Sequence, residues 1–213
     1  MSGAPSILIG IVGYSPVVDA FPLGPKLMAA LQDRLAGQDD VAVENMTWSP
    51  IHVVQRFQDE GAVRPRRLVL VGAAAVCARP GRVRAFRWMG GALPAQEMQE
   101  RVYEAVTGIV DVENTLMIGT HFEVWPDEAY TVEVELTPDT FGRIVIADSN
   151  GTSGQALVDE LGFVPWAVIA ELTETALALA LHGPDQHVPV APKSADSLVK
   201  VEPFIRNRIA AFG

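Results

Sequence analysis

Residues 6–31 read SILIGIVGYSPVVDAFPLGPKLMAAL. An apolar run opens the stretch, Ile7, Leu8, Ile9, Ile11 and Val12, broken only by Gly10. Turn-forming residues follow: Gly13, Pro16, Asp19, Pro22 and Gly24. Pro25 then suits the first turn of a helix, where its missing N–H leaves no bond unmade. Leu27, Met28 and Leu31 lie at helical spacing behind it. An apolar run, a turn and a helical pattern together predict a strand–loop–helix unit. In open α/β sheets the loop after such a strand lies at the carboxyl end, where ligands bind. The loop that begins at Gly13 and Tyr14 is therefore the first candidate for a binding site.

Working outward, 41–46 alternates as a second strand, and 51–59 reads as a short helix through Ile51, Val53, Val54 and Phe57. Residues 68–71 are continuously apolar, as in a strand buried on both faces. A small-residue loop runs from Gly72 through Cys77 to Pro80-Gly81. Residues 83–88 read as a strand. Met98, Val102, Ala105, Val106 and Ile109 give 94–110 a helical period, supported by the Glu97–Arg101 pair four residues apart. The run 115–119 reads as another buried strand. Residues 131–136 alternate strictly, which predicts a strand with one wet face. With 143–147, closed by Asn150-Gly151, it suggests an antiparallel edge or hairpin. Residues 165–181 read as a long helix stopped by His182-Gly183-Pro184. The pattern predicts a three-layer α/β domain over 1–182, its sheet mostly parallel and flanked by helices. Residues 183–213 follow as a Pro-rich spacer at 185–193 and an amphipathic arm.

Composition narrows the function. The chain has 213 residues, 49% of them hydrophobic, enough for one domain with a substantial core. Its 16 basic residues against 26 acidic ones give a net charge of −10 and argue against nucleic-acid binding. The single cysteine, Cys77, cannot form an internal disulfide and fits a reducing compartment. MSGAPS carries no basic leader region, and no apolar stretch is long enough to span a membrane, so the expected location is the cytoplasm.

Three segments in order resemble the hydrogenase maturation endopeptidases. That family has a first loop of the form G-x-G-N-x-x-x-x-D-[D/E]-G-x-G. Gly13 stands for its second Gly, Tyr14 for its Asn and Asp19 for its Asp. The next position, an acidic metal ligand in the family, is Ala20, the following Gly is Phe21, and one extra residue precedes Gly24-Pro25. Spacing back from Pro80-Gly81 puts Gly72 where the family has its second ligand, an Asp. Leu93-Pro94-Ala95-Gln96 stands where the family's His begins a helix. Residues 115–119 resemble the family's next strand, and Pro126-Asp127-Glu128 its acidic loop. The resemblance implies a phosphorylase/hydrolase-like fold. It also implies a relation to proteins that cut the C-terminal extension from the nickel-loaded large subunit of [NiFe]-hydrogenase. All three family ligands are replaced here. The expectation is a non-catalytic binding or assembly factor that needs no cofactor. The alternative is an active endopeptidase that holds nickel or zinc at relocated ligands, Asp19 and His121.

The candidate binding loop comprises Gly13, Tyr14, Asp19, Gly72 and Cys77. Cys77 is a nucleophile only with a base beside it, for which His121 is the candidate. His121, Glu123, Asp127 and Glu128 match no closed metal motif and read more simply as a solvated loop anchored by Phe122 and Trp125. Leu198, Phe204, Ile205, Ile209 and Phe212 form an apolar stripe suited to a protein partner, either a hydrogenase large subunit or a second copy of the chain.

Overall fold

The computed structural model describes residues 5–12, 23–46, 49–59, 64–74, 79–106, 111–136, 165–185 and 187–198. Its strands are β1 (Ile7–Ile11), β2 (Val41–Asn45), β3 (Arg67–Ala74), β4 (Val83–Trp88), β5 (Glu128–Glu135) and β6 (Val190–Lys193). They form one sheet in the order β2-β1-β3-β5-β4-β6. All neighbouring pairs are parallel except β4 with β5. On one face lie α1 (Leu23–Arg34) and α5 (Pro165–His182). On the other lie α2 (Pro50–Gln58), α3 (Ala95–Val106), α4 (Val112–His121) and the short turn α6 (Ala195–Leu198). The architecture is the three-layer α/β fold with a mostly parallel sheet that the sequence predicts.

The two-residue alternation of strands divides the core. Ile7, Ile9, Val69, Val71, Val132 and Val134 face α1 and α5, with Leu27, Leu31, Leu172 and Leu179 packed on them. Leu8, Leu68, Leu70 and Ala129 face the other way, under Val53, Phe57, Leu116 and Ile118. Arg67 fixes the amino end of the sheet. Its guanidinium donates to the Leu179 and Ala180 carbonyls at 3.2 and 2.9 Å and pairs with Glu128 at 2.6 Å. A cation suits these carbonyls, which carry the negative end of the α5 dipole.

Three local expectations are corrected. The segment 115–119 is not a strand but the middle of α4. Asp111 caps that helix, accepting a hydrogen bond from the Asn114 amide at 2.7 Å. A short apolar run buried all round has no period that separates strand from helix. Residues 131–136 do not show a wet face. Thr131, Glu133 and Glu135 are 0%, 1% and 6% exposed, because β5 lies between β3 and β4 and its polar side meets cations. The antiparallel pair is thus β4 with β5, inside the sheet; residues 143–147 lie outside the described residues. Finally, 190–193 is extended but does not leave the body: β6 pairs with β4 along the sheet edge. Pro192 is tolerated there because an edge strand can lack a donor.

Gly119 is where α4 meets the turn that follows it. A Cβ there would stand 2.1 Å from the Trp125 ring. That ring is held by its N–H donating to the Leu116 carbonyl at 2.8 Å and by an edge-on contact with Phe57 at 5.4 Å. Gly119→Ala is expected to lower stability by about 1–3 kcal/mol through overpacking. Urea unfolding measures this, and an unchanged midpoint contradicts the packing described.

Candidate functional site

The carboxyl end of the parallel strands is where an α/β sheet ordinarily binds its ligand, and Gly72 of β3 stands there. Glu133 is its register partner on β5. The amino end of α4 lies over both. A Cβ at Gly72 would be 2.4 Å from Cγ2 of Val112 and 2.7 Å from the Val12 carbonyl oxygen. There is no room for a methyl group, and still less for the carboxylate that the family resemblance puts at this position.

Around the first turn of α4 the sheet buries charge. Lys193, at the end of β6, reaches across the face with its Nζ at 2.9 Å from both carboxylate oxygens of Glu133. The same Nζ is 3.0 Å from Glu113 in the first turn of α4. Thr131 donates its hydroxyl to Glu133 at 2.6 Å. Burial works against the Lys193 ammonium, but the charges of Glu133 and Glu113 outweigh it and hold its pKa above the ordinary value. Beside this set, Arg84 pairs with Glu135 at 3.1 Å. Deeper, between α3 and α4, Arg101 donates to Asn114 at 2.9 Å and pairs with Glu104 at 3.4 Å, while Asn114 donates to Glu104 at 3.0 Å. Asp111, half-buried at the head of α4, lies near this network. Burial pushes its carboxyl up to about 6 and the Glu113 charge adds to the rise, with the Asn114 amide and Arg101 opposing.

The residues singled out in the sequence are placed as follows. Gly72 lies in this region, as packing rather than as a ligand. Gly13, Tyr14, Asp19 and Cys77 lie outside the described residues, as do Phe204, Ile205, Ile209 and Phe212. Leu198 is buried, 3% exposed, in the core beside Ala195. His121 is exposed at the last turn of α4, its ring edge-on to Phe122 at 5.2 Å. Because 115–119 is helix, His121 comes just before β5 and so lies at the amino end of the sheet, not after a strand at its carboxyl end. The eight residues of β3 separate the two ends by roughly 25 Å. Glu128, from the same acidic loop, is committed to Arg67, which holds its carboxyl below the ordinary carboxylate value. Of that loop, Trp125 is an anchor and Phe122 is an exposed side chain.

The family's metal does not fit the residues present. Of its three ligand positions, Ala20 has only a methyl group, Gly72 is closed, and the turn before α3 supplies no His. Among the described residues no group of three or more His, Cys, Asp or Glu is placed to hold a metal ion. No helix among them is long and apolar enough to cross a membrane. Comparison of the chain with protein families, with curated proteins and with solved structures finds no match in any of the three.

Sequence reading did not single out Asp111, Glu113, Glu133 or Lys193. The signal was present in the Glu133–Glu135 alternation of a central strand and in one lysine closing the β6 segment VAPK. Removing the cation from a buried pair leaves charge uncompensated and typically costs about 3–5 kcal/mol. Lys193→Met is expected to destabilise on that scale, and adding Glu133→Gln and Glu113→Gln should recover most of the loss. A loss of under about 1 kcal/mol, the worth of a surface pair, contradicts a buried cluster.

Proposed function

We propose that this chain is a non-catalytic binding or assembly factor on a maturation-peptidase-like α/β frame, acting through contact with another protein. The observation that carries the reading is the closure of Gly72 by Val112 and the Val12 carbonyl. Metal-assisted peptide hydrolysis needs an ion that polarises the carbonyl or activates water. At the matched position a side-chain metal ligand has no space. The neighbouring charges also favour this reading, since Lys193, Glu133, Glu113, Arg84 and Glu135 are engaged with one another. Groups held in mutual ion pairs brace a frame better than they serve an acid–base reaction. The three-layer sheet with one antiparallel pair supports the fold part of the resemblance, and fold alone does not assign chemistry.

The partner is a protein, either a hydrogenase large subunit or a second copy of the chain. The arm 199–213 supplies Phe204, Ile205, Ile209 and Phe212 for it. Leu198 and Ala195 belong to the body's own core, so the arm is best separated after Leu198. A chain ending at Leu198 is expected to keep its unfolding midpoint. It should lose self-association in light scattering, or binding to a purified nickel-loaded large-subunit precursor. Retained association, or a body that melts on truncation, overturns the partner-arm reading. The metal side is tested by calorimetry with nickel and zinc. No stoichiometric site is expected, and a sub-micromolar one that vanishes on Asp19→Ala establishes the active-peptidase alternative instead.

A further inference from the structure

β6 does not reach its place through a hairpin. It lies parallel to β4, a strand from much earlier in the chain. The segment 190–198 is held there as a peptide is held in a groove, by strand pairing along the backbone and by separate places for its side chains. The Met89 amide donates to the Lys193 carbonyl at 2.8 Å, and the Ala195 amide donates to the Gly90 carbonyl at 2.9 Å. The Lys193 ammonium is 2.9 Å from Glu133 and 3.0 Å from Glu113, and it lies over the Phe86 ring at 5.0 Å from its centroid. Ala195 packs on Gly91, where a Cβ would stand 3.0 Å from its own. Leu198 is buried in the core on the α4 side of the sheet. Two carboxylates facing one ammonium make the groove complementary in charge to the segment. Each of these contacts can be made equally well by the same segment of another copy.

The connection from α5 to β6 is short and constrained. Residues 183–189 include Pro184 and Pro189, whose rings fix φ. Gly183 takes a φ of +75°. The Asp185 carboxylate accepts hydrogen bonds from the His187 and Val188 amides at 2.7 and 3.0 Å. A short, constrained hinge before a terminal element favours exchange between copies, because exchange repeats every docking contact and alters the hinge alone.

We propose that 190–198 is an exchangeable segment whose partner is a second copy of this chain: when two chains fold together, each lays its Lys193 against Glu133 and Glu113 of the other, giving a reciprocal dimer. The exchange is settled during folding, since a folded monomer keeps its own groove filled. It does not rest on the arm 199–213, whose proposed contacts join chains already folded.

The test refolds full-length Lys193→Glu and Glu133→Lys chains together from denaturant at high concentration. Alone, each variant puts like charges into its groove. In a reciprocal pair, each groove again holds one lysine and two carboxylates. Light scattering should show a one-to-one heterodimer at least about tenfold more abundant than the dimer of either variant alone. Equal dimer in each variant and in the mixture, as contact through the arm would give, overturns the proposal, and so does a mixture that stays monomeric. Should either variant fail to fold alone, the mixture is still read: a soluble heterodimer supports the exchange, and precipitation of the mixture contradicts it. The wild type gives a second reading without charge reversal. Refolded at high concentration it should yield dimer, and a flexible Gly-Ser insertion after Pro184, which relaxes the hinge, should lower that yield severalfold. A yield that the insertion leaves unchanged overturns the proposal.

Discussion

The close approach of α4 to β3 at Gly72 sets the packing among the described residues at this end of the strand. No side chain fits between the strand and Val112, so the helix lies almost on the sheet. That approach brings Glu113 to the ammonium of Lys193 that Glu133 also holds. It also leaves no room for a side-chain ligand at residue 72. Packing at this position is therefore decided by one missing Cβ. An acidic residue there would make a metal ligand conceivable, whereas glycine lets the helix close the position.

The second consequence is electrostatic. A sheet face lined by Thr131, Glu133 and Glu135 is an unfavourable thing to bury, and here it is buried with its cations supplied from two other strands. Arg84 comes from β4 and Lys193 from β6. The edge strand β6 is short, four residues, and its backbone pairing with β4 alone is a thin anchor. Lys193 ties it to β5 and to α4 as well. Buried pairs of this kind contribute little net stability against an apolar alternative, but they penalise any other register strongly. In this chain they tie β6 to its place on the sheet.

The fold was legible where the physics is local. The strand–loop–helix opening of 6–31, the apolar run at 68–71 and the helical periods of 95–106 and 165–182 each contain their own evidence. The antiparallel character of the strand at 131–136 was also foreseen, its partner being β4. What escaped was non-local. Nothing near 115–119 says whether a run of four apolar residues is strand or helix; the clue was Asp111 as a cap with Glu113 behind it. The polar alternation of 131–136 reads as a wet face unless Arg84, 51 residues from Glu135, and Lys193, 60 residues from Glu133, are known to meet it. For the candidate site, spacing singled out Gly72, which lies near the carboxyl end of β3. The reason it is glycine became visible only with α4 packed on it. His121 was assigned to the wrong end of the sheet as a direct result of the strand assignment for 115–119.

The stability of Gly72→Ala, alone and combined with Val112→Ala, tests the closed position most directly. One methyl group is added at the point where 2.4 and 2.7 Å separate a Cβ from its neighbours. The single substitution is predicted to lose about 1–3 kcal/mol. The double substitution should show favourable coupling of at least about 0.5 kcal/mol, because trimming Val112 relieves one of the two contacts. A Gly72→Ala chain as stable as the wild type, with no coupling to Val112, would mean that α4 does not close on Gly72.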